Sequence, residues 1–220
     1  MTRRNRGLIL DLDGVVTDTA ELHFHAWACL AADEGLAFDR DANERLRGLS
    51  RADSLRAILG DREVPPMAFE RMLDDKNHHY VTSLAGLSGA DLLPGAAALV
   101  ADARTRGWRL AIGSSSRNAP EVLRRLGLLD AFDAIADGNT VTVAKPAPDV
   151  FLAAARMLGV DPERCVVVED AASGVDAGLA AGMAVVGTGP PDRVGHAHVC
   201  VATTADVDLD VLERLVEEQG

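Results

Sequence analysis

The chain has 220 residues, 48% of them hydrophobic and 25% charged, enough to bury a substantial core as one large domain or a core with a modest insertion. Its 34 acidic residues against 22 basic ones give a net charge of −12, which argues against a nucleic-acid partner unless a basic patch overcomes that field; the one basic cluster, Arg3, Arg4 and Arg6, reads as a solvated tail. No run approaches the roughly 18 apolar residues of a membrane span, and Cys29, Cys165 and Cys200, odd in number and far apart, suit the reduced thiols of a cytoplasmic protein.

Gly7 to Leu10 is a short apolar run that ends in acids, the pattern of a buried parallel strand with a functional C-terminal end. From about residue 20 to 83 no convincing strand follows. Helices are predicted instead over Glu21 to Glu34, Asp41 to Leu46, Arg51 to Leu59 and Met67 to Val81, with breaks at Gly35, Gly48 and Gly60 through Pro66. We read residues 18–87 as a helical bundle inserted after the first strand, with Thr17-Asp18-Thr19 and Ser83 to Leu93 as paired hinges. Strands then recur at Leu110 to Gly113, Ala134 to Ala136, Cys165 to Val168 and Ala184 to Gly187. Helices over Gly95 to Arg106, Ala119 to Leu126, Pro148 to Leu158 and Ser173 to Ala181 lie between them. This alternation predicts an α/β fold: a doubly wound, Rossmann-like parallel sheet built from residues 1–17 and 88–220, carrying the inserted α-helical domain.

The strand ends carry the chemistry. Asp11 and Asp13 are two residues apart in an extended segment, so both point to one side at the C-terminal edge of the sheet, where open α/β folds place ligands. Gly14 lets the chain turn there and lets backbone amides approach an anion. Alone, the segment also admits the reading of a strand ending in a solvated acidic turn. A second pair, Glu169-Asp170, ends another strand. With both strands central, up to four carboxylates meet, which is tolerable only around a cation, and oxygen ligands select a hard ion such as Mg²⁺.

Ser114-Ser115-Ser116-Arg117-Asn118 follows a strand and precedes a helix start marked by an Asn cap and Pro120, so hydroxyls and free amides face the same edge. Lys145, with Lys76 one of only two lysines, stands in a Pro-rich turn before another helix. Each feature is common by itself. Together they supply the nucleophile, proton carrier, metal and donors that phosphoryl transfer needs. The pairs His23-x-His25, His78-His79 and His196-x-His198 have no acid or Cys at the spacing of a transition-metal site.

Asp11-x-Asp13-Gly-Val, Ser114, Lys145-Pro and Glu169-Asp170, in this order, resemble the haloacid dehalogenase superfamily of phosphotransferases over nearly the whole chain. The resemblance implies that Asp11 is the nucleophile forming an aspartyl phosphate and Asp13 the general acid/base, with Ser114 and Lys145 holding the transferring group. It further implies Mg²⁺ bound by the Asp11 carboxylate, the Asp13 carbonyl and Asp170, with Glu169 beside or behind it.

Asp11 through Ala20, His23-x-x-Ala-Trp27, Leu46-x-Gly48-x-Ser50-Arg51-x-Asp53-Ser54-Leu55 and Lys76-Asn77 narrow the likeness to the β-phosphoglucomutase family. Its helical insert is a mobile cap. By that likeness Thr19 is a hinge residue that positions Asp13, and His23 and Trp27 line the sugar site, although Trp27 on a helix fits a core position too. Gly48, Leu49, Ser50, Arg51, Ser54 and Lys76 face substrate from the cap. Arg51, Ser116, Arg117 and Asn118 hold the phosphate that is not transferred. Arg117 and Ser115 stand where the family usually has Lys and Ala, and neither change removes a donor.

The expected activity is interconversion of β-D-glucose 1-phosphate and glucose 6-phosphate, with Mg²⁺ and β-glucose 1,6-bisphosphate as priming intermediate. A phosphatase acting on a sugar phosphate or phosphoglycolate is the first rival, and a non-catalytic sugar-phosphate sensor the second. The expected partner is a small-molecule sugar phosphate rather than nucleic acid or membrane, and the expected state is a monomer.

Overall fold

The computed structural model describes residues 6–219. Six strands form one parallel sheet in the order β3-β2-β1-β4-β5-β6. In chain order the elements are β1 (Gly7–Leu10), α1 (Ala20–Glu34), α2 (Arg40–Glu44), α3 (Arg51–Leu59), α4 (Pro66–Ser83), α5 (Ala96–Thr105), β2 (Arg109–Gly113), α6 (Ala119–Leu126), β3 (Ala134–Ala136), α7 (Asp149–Leu158), β4 (Cys165–Glu169), α8 (Ala172–Ala180), β5 (Ala184–Thr188), α9 (Pro191–Val194), β6 (Val199–Val201) and α10 (Leu209–Gln219).

The central strands read as unbroken apolar runs because both faces of the sheet are covered. Leu8, Leu10, Val166 and Val168 point into a core closed by α5, α6 and α10. Ile9, Val167 and Val185 point the other way, into a core built on α7 and α8. Each such side chain contributes ~1.5–3 kcal/mol by leaving water. Gly113 is needed at the end of β2 because a Cβ there would lie 2.7 Å from the Phe151 ring. β1 sits between β2 and β4, in register Leu10 to Ile112 and Leu10 to Val168. The acidic ends of β1 and β4 are therefore neighbours.

α1 to α4 pack around a separate, smaller apolar cluster of Trp27, Leu30, Leu46, Leu55, Leu59 and Met72. Two chain segments join this bundle to the sheet, and they run side by side. Thr17 bridges Leu92, the Leu93 amide donates to the Val16 carbonyl at 2.9 Å, and the Thr17 hydroxyl donates to the Asp91 carbonyl at 2.7 Å.

Four expectations need correction. Arg6 is no solvated tail residue: it pairs with Glu213 at 3.1 Å and lies 4.7 Å over the Trp108 ring, while Arg3 and Arg4 fall outside the described residues. The predicted helix through Leu46 stops at Glu44, leaving residues 45–49 as a turn. Asn118 precedes α6 but does not cap it, because its side chain donates to Asn77 of α4 at 2.9 Å. β6 and α10 lie beyond the last predicted strand.

Candidate active site

The C-terminal edge of the sheet and the inner face of α1 to α4 enclose a cleft of ≈ 720 Å³. Its floor is the acidic meeting point. Ligand atoms of Asp11, Glu169 and Asp170 all lie within 4.8 Å of one another, and all three residues are buried. The donor set is oxygen throughout, the chemistry that suits a hard divalent cation such as Mg²⁺.

Lys145 is the built-in counter-charge. Its Nζ donates to Asp11 Oδ1 at 2.6 Å and to Glu169 Oε1 at 2.7 Å. Burial alone would lower the ammonium pKa, but these carboxylates outweigh it and hold Lys145 firmly charged. The second oxygen of Glu169 accepts from the Ala171 amide at 2.6 Å, so Glu169 stands behind Asp11, already satisfied. Burial raises the Asp11 carboxyl well above its ordinary pKa, opposed by Lys145. Burial and Glu169 push Asp170 up to about 7, against the pull of Arg47 and Arg193.

Asp13 faces the same cleft but does not join the triad. The Thr19 hydroxyl, from the residue preceding α1, donates to Asp13 Oδ1. Burial raises the Asp13 pKa, and the Thr19 hydrogen bond restrains the rise. A raised carboxyl held in one orientation suits a group that must both take and return a proton near neutrality. Gly14, at φ 92°, is the turn that makes room: a Cβ there would collide with the Asp170 carboxylate.

The turn after β2 presents the buried Ser114, whose Oγ accepts from the Ser116 amide at 3.1 Å, while Ser116 Oγ accepts from the Asn118 amide at 3.2 Å. The start of α6, beside the cleft at Asn118, has no side-chain cap from that residue, which leaves first-turn amides for an anion. Ser115 donates to the Gly48 carbonyl at 3.2 Å. With the Asn118 to Asn77 bond, this contact brings the helical bundle down onto the core.

From the bundle, His23, Trp27, Gly48, Leu49, Ser50, Arg51, Ser54 and Lys76 all line the cleft. Trp27 does double duty, being 3% exposed within its own cluster. Lys76 Nζ lies 2.7 Å from His23 Nδ1 and over the rings of Trp27 and Tyr80. Burial and Arg51 push Lys76 down to about 7. Burial and then Arg117 lower the Arg51 pKa, the mark of two guanidiniums facing one space, an arrangement an anion between them relieves. Ser50 caps α3, accepting from the Asp53 amide at 3.1 Å, and so fixes where that helix and Arg51 begin.

Sequence reasoning missed Arg47, the unspecified residue between Leu46 and Gly48. Its Nη1 donates to Asp170 Oδ2 at 2.7 Å. It also missed Arg193 of α9, 3.8 Å from the same oxygen. Arg47 falls within a quoted motif, whereas nothing around Arg193 signals a site.

Comparison with known proteins gives a consistent result. Residues 6–182 match the family described as haloacid dehalogenase-like hydrolase. A β-phosphoglucomutase of Bacillus subtilis is 42% identical over 97% of this chain and 96% of its own. A fructose-1-phosphate phosphatase of Escherichia coli is 36% identical over 84% of this chain and 97% of its own. The crystal structure of a β-phosphoglucomutase from Clostridium difficile superposes with a TM-score of 0.93 at 36% identity, covering 97% of this chain and 98% of that one.

Proposed function

Because the chain belongs to the haloacid dehalogenase-like hydrolase family, we propose that it is a β-phosphoglucomutase, interconverting β-D-glucose 1-phosphate and glucose 6-phosphate through β-glucose 1,6-bisphosphate. Residues 1–17 and 88–220 form the catalytic core in this reading, and residues 18–87 the cap that closes over the sugar.

Asp11 carries the phosphoryl group. One sugar hydroxyl attacks phosphorus, the bond from phosphorus to the Asp11 oxygen breaks, and the hydroxyl proton passes to Asp13. The bisphosphate then turns end for end. Asp11 attacks the other phosphoryl group, and Asp13 returns its proton to the departing sugar oxygen. Lys145 and Ser114 orient the equatorial oxygens, and Thr19 keeps Asp13 aimed at the hydroxyl. The Asp11 and Asp170 carboxylates and the Asp13 carbonyl would hold Mg²⁺, which supplies charge neutralisation at the transferring group.

The observation that favours a mutase is the Arg51 and Arg117 pair in the same cleft as Asp11. A substrate with one phosphate uses one end of that cleft, whereas a bisphosphate uses both. The likeness to a fructose-1-phosphate phosphatase keeps hydrolysis as the competing reading. Glucose 6-phosphate and inorganic phosphate, followed side by side from β-glucose 1-phosphate with Mg²⁺ and the bisphosphate primer, decide between them. A mutase forms glucose 6-phosphate in large excess, and phosphate as the main product would overturn the proposal. The free thiols of Cys29, Cys165 and Cys200 suit a reducing cytoplasmic setting, and we take the monomer as the working unit.

A further inference from the structure

We propose that Arg47 is a built-in cation which clasps the cap to Asp170 when no divalent ion is present, so that Mg²⁺ binding and the clasp oppose each other. The inference rests on the reading of Asp170 as a metal ligand.

The clasp is specific in its partners. Arg47 stands in the turn between α2 and α3, on the cap side of the cleft, and reaches across to Asp170 Oδ2 at 2.7 Å. Glu44 holds the guanidinium from behind, with Nε to Oε1 at 3.0 Å and Nη2 to Oε2 at 3.2 Å. The same Glu44 Oε1 accepts from Arg193 of the core at 3.2 Å, and Arg193 Nη2 lies 3.8 Å from Asp170 Oδ2. Two arginines and two acids therefore tie the cap turn to the end of β4.

Competition for one oxygen gives the sign of the coupling. Asp170 Oδ2 already holds Arg47 Nη1 at 2.7 Å, with Arg193 Nη2 at 3.8 Å. A divalent ion drawn to that carboxylate meets the positive charge already seated on it, and the repulsion is relieved when a cation withdraws. Lys145 is fixed: its side chain is 1% exposed and bound to two carboxylates. Arg193 belongs to the core. Arg47 alone of the three sits on the cap, in a turn rather than a helix, with a side chain 26% exposed. It is the cation able to leave. Reciprocity of coupled binding then requires that whatever favours Arg47 on Asp170 weakens Mg²⁺, and the reverse.

The contrary role is equally definite. If Arg47 held one Asp170 oxygen so that the other could ligate the metal, removing it would weaken Mg²⁺ binding. Calorimetric titration of Mg²⁺ into the full-length chain separates the two. Arg47→Met is expected to bind Mg²⁺ about fivefold tighter or more, and Arg47→Lys to return toward the wild-type affinity. Unchanged or weaker binding in Arg47→Met overturns the antagonism. Asp170→Asn tests the reading beneath it: Mg²⁺ binding as tight as in wild type removes Asp170 from the ligands, and the inference falls with that reading. A measurement on wild type alone guards against a misfolded variant. Addition of Mg²⁺ should speed hydrogen exchange at the Arg47 and Leu49 amides, whose hydrogen bonds to Glu44 and Leu46 form the clasp turn. Unchanged or slower exchange there overturns the proposal.

Discussion

The floor of the cleft and its roof are built on opposite principles. Asp11, Ser114, Lys145, Glu169 and Asp170 are all less than 10% exposed, and all but Lys145, which stands in the turn before α7, lie at the ends of strands packed on both faces. Their positions are set by sheet register and by large apolar clusters. The roof rests on a cluster of six buried residues. At its hinge side Leu22, Ala26 and Tyr80 pack into the core of the floor, and across the cleft it meets the floor through a few polar contacts: Ser115 to Gly48, Asn118 to Asn77, Arg47 to Asp170 and Arg193 to Glu44. A rigid floor keeps reacting groups within the tolerance chemistry demands. A roof held by polar contacts worth little each can open and reclose, and substrate binding energy can select the closed state.

The largest expected effect therefore lies in the floor. Asp11→Asn removes the carboxylate proposed to form the acyl phosphate and should abolish turnover and labelling by a phosphoryl donor, with the fold intact by circular dichroism. Turnover retained in pure protein would end the covalent reading. Asp13→Asn should slow transfer by roughly 10²–10⁴-fold while Mg²⁺ affinity stays close to wild type, because the carbonyl proposed to ligate the metal is still present. Lost metal affinity with a normal transfer step at saturating Mg²⁺ would reverse its role.

Arg51→Ala breaks the comparison from the roof. A charge-assisted contact to phosphate is worth about 1.5–3 kcal/mol, so losing it shifts the closed population about tenfold or more. Sugar-phosphate turnover should fall by at least that factor, while hydrolysis of acetyl phosphate, which needs only the floor, stays nearly unchanged. Equal losses on both substrates would mean that Arg51 supports the fold or the floor instead.

The same division explains what the sequence disclosed. β1 to β5 were legible because strands covered on both faces leave apolar runs, as in Cys165–Glu169, with acids marking their ends. Asp11, Ser114, Glu169 and Asp170 end or directly follow those runs, whereas Lys145 is marked by the Pro-rich turn before α7. β6 was hidden: three residues at the sheet edge, half-exposed, leave no pattern. α10 carries the helical spacing of Leu209, Leu212 and Val216 and was legible in principle. Arg47 was hidden for a different reason. The sequence suggests a helix running through Leu46, and only the stop at Glu44 turns residues 45–49 so that the guanidinium reaches Asp170. Asn118 shows the reverse case, a good local cap signal overruled by a partner on the roof, 41 residues away in sequence.

The smallest expected effect tests how dry the roof is. Lys76 is 2% exposed, with Nζ at 2.7 Å from His23 Nδ1 and over the rings of Trp27 and Tyr80. Burial, with Arg51 adding to it, holds its pKa down to about 7, where an ordinary lysine titrates at 10.5. Burial, Lys76 and Arg51 also keep His23 well below its usual value, so His23 is neutral. Between pH 7 and 10.5 the unfolded chain binds more protons at this lysine than the folded one, and stability therefore rises with pH across that window. The slope is at most ~1.4 kcal/mol per pH unit for one proton. Lys76→Met keeps an apolar stem against Trp27 and Tyr80 and removes the titration. Denaturation at pH 7, 8, 9 and 10 should show wild type gaining on Lys76→Met as pH rises, with most of the gain complete by pH 10. Parallel stability curves would mean that Lys76 stays solvated in the free chain. The roof would then stand open in solution, and the contacts joining it to the floor would form only when substrate draws it down.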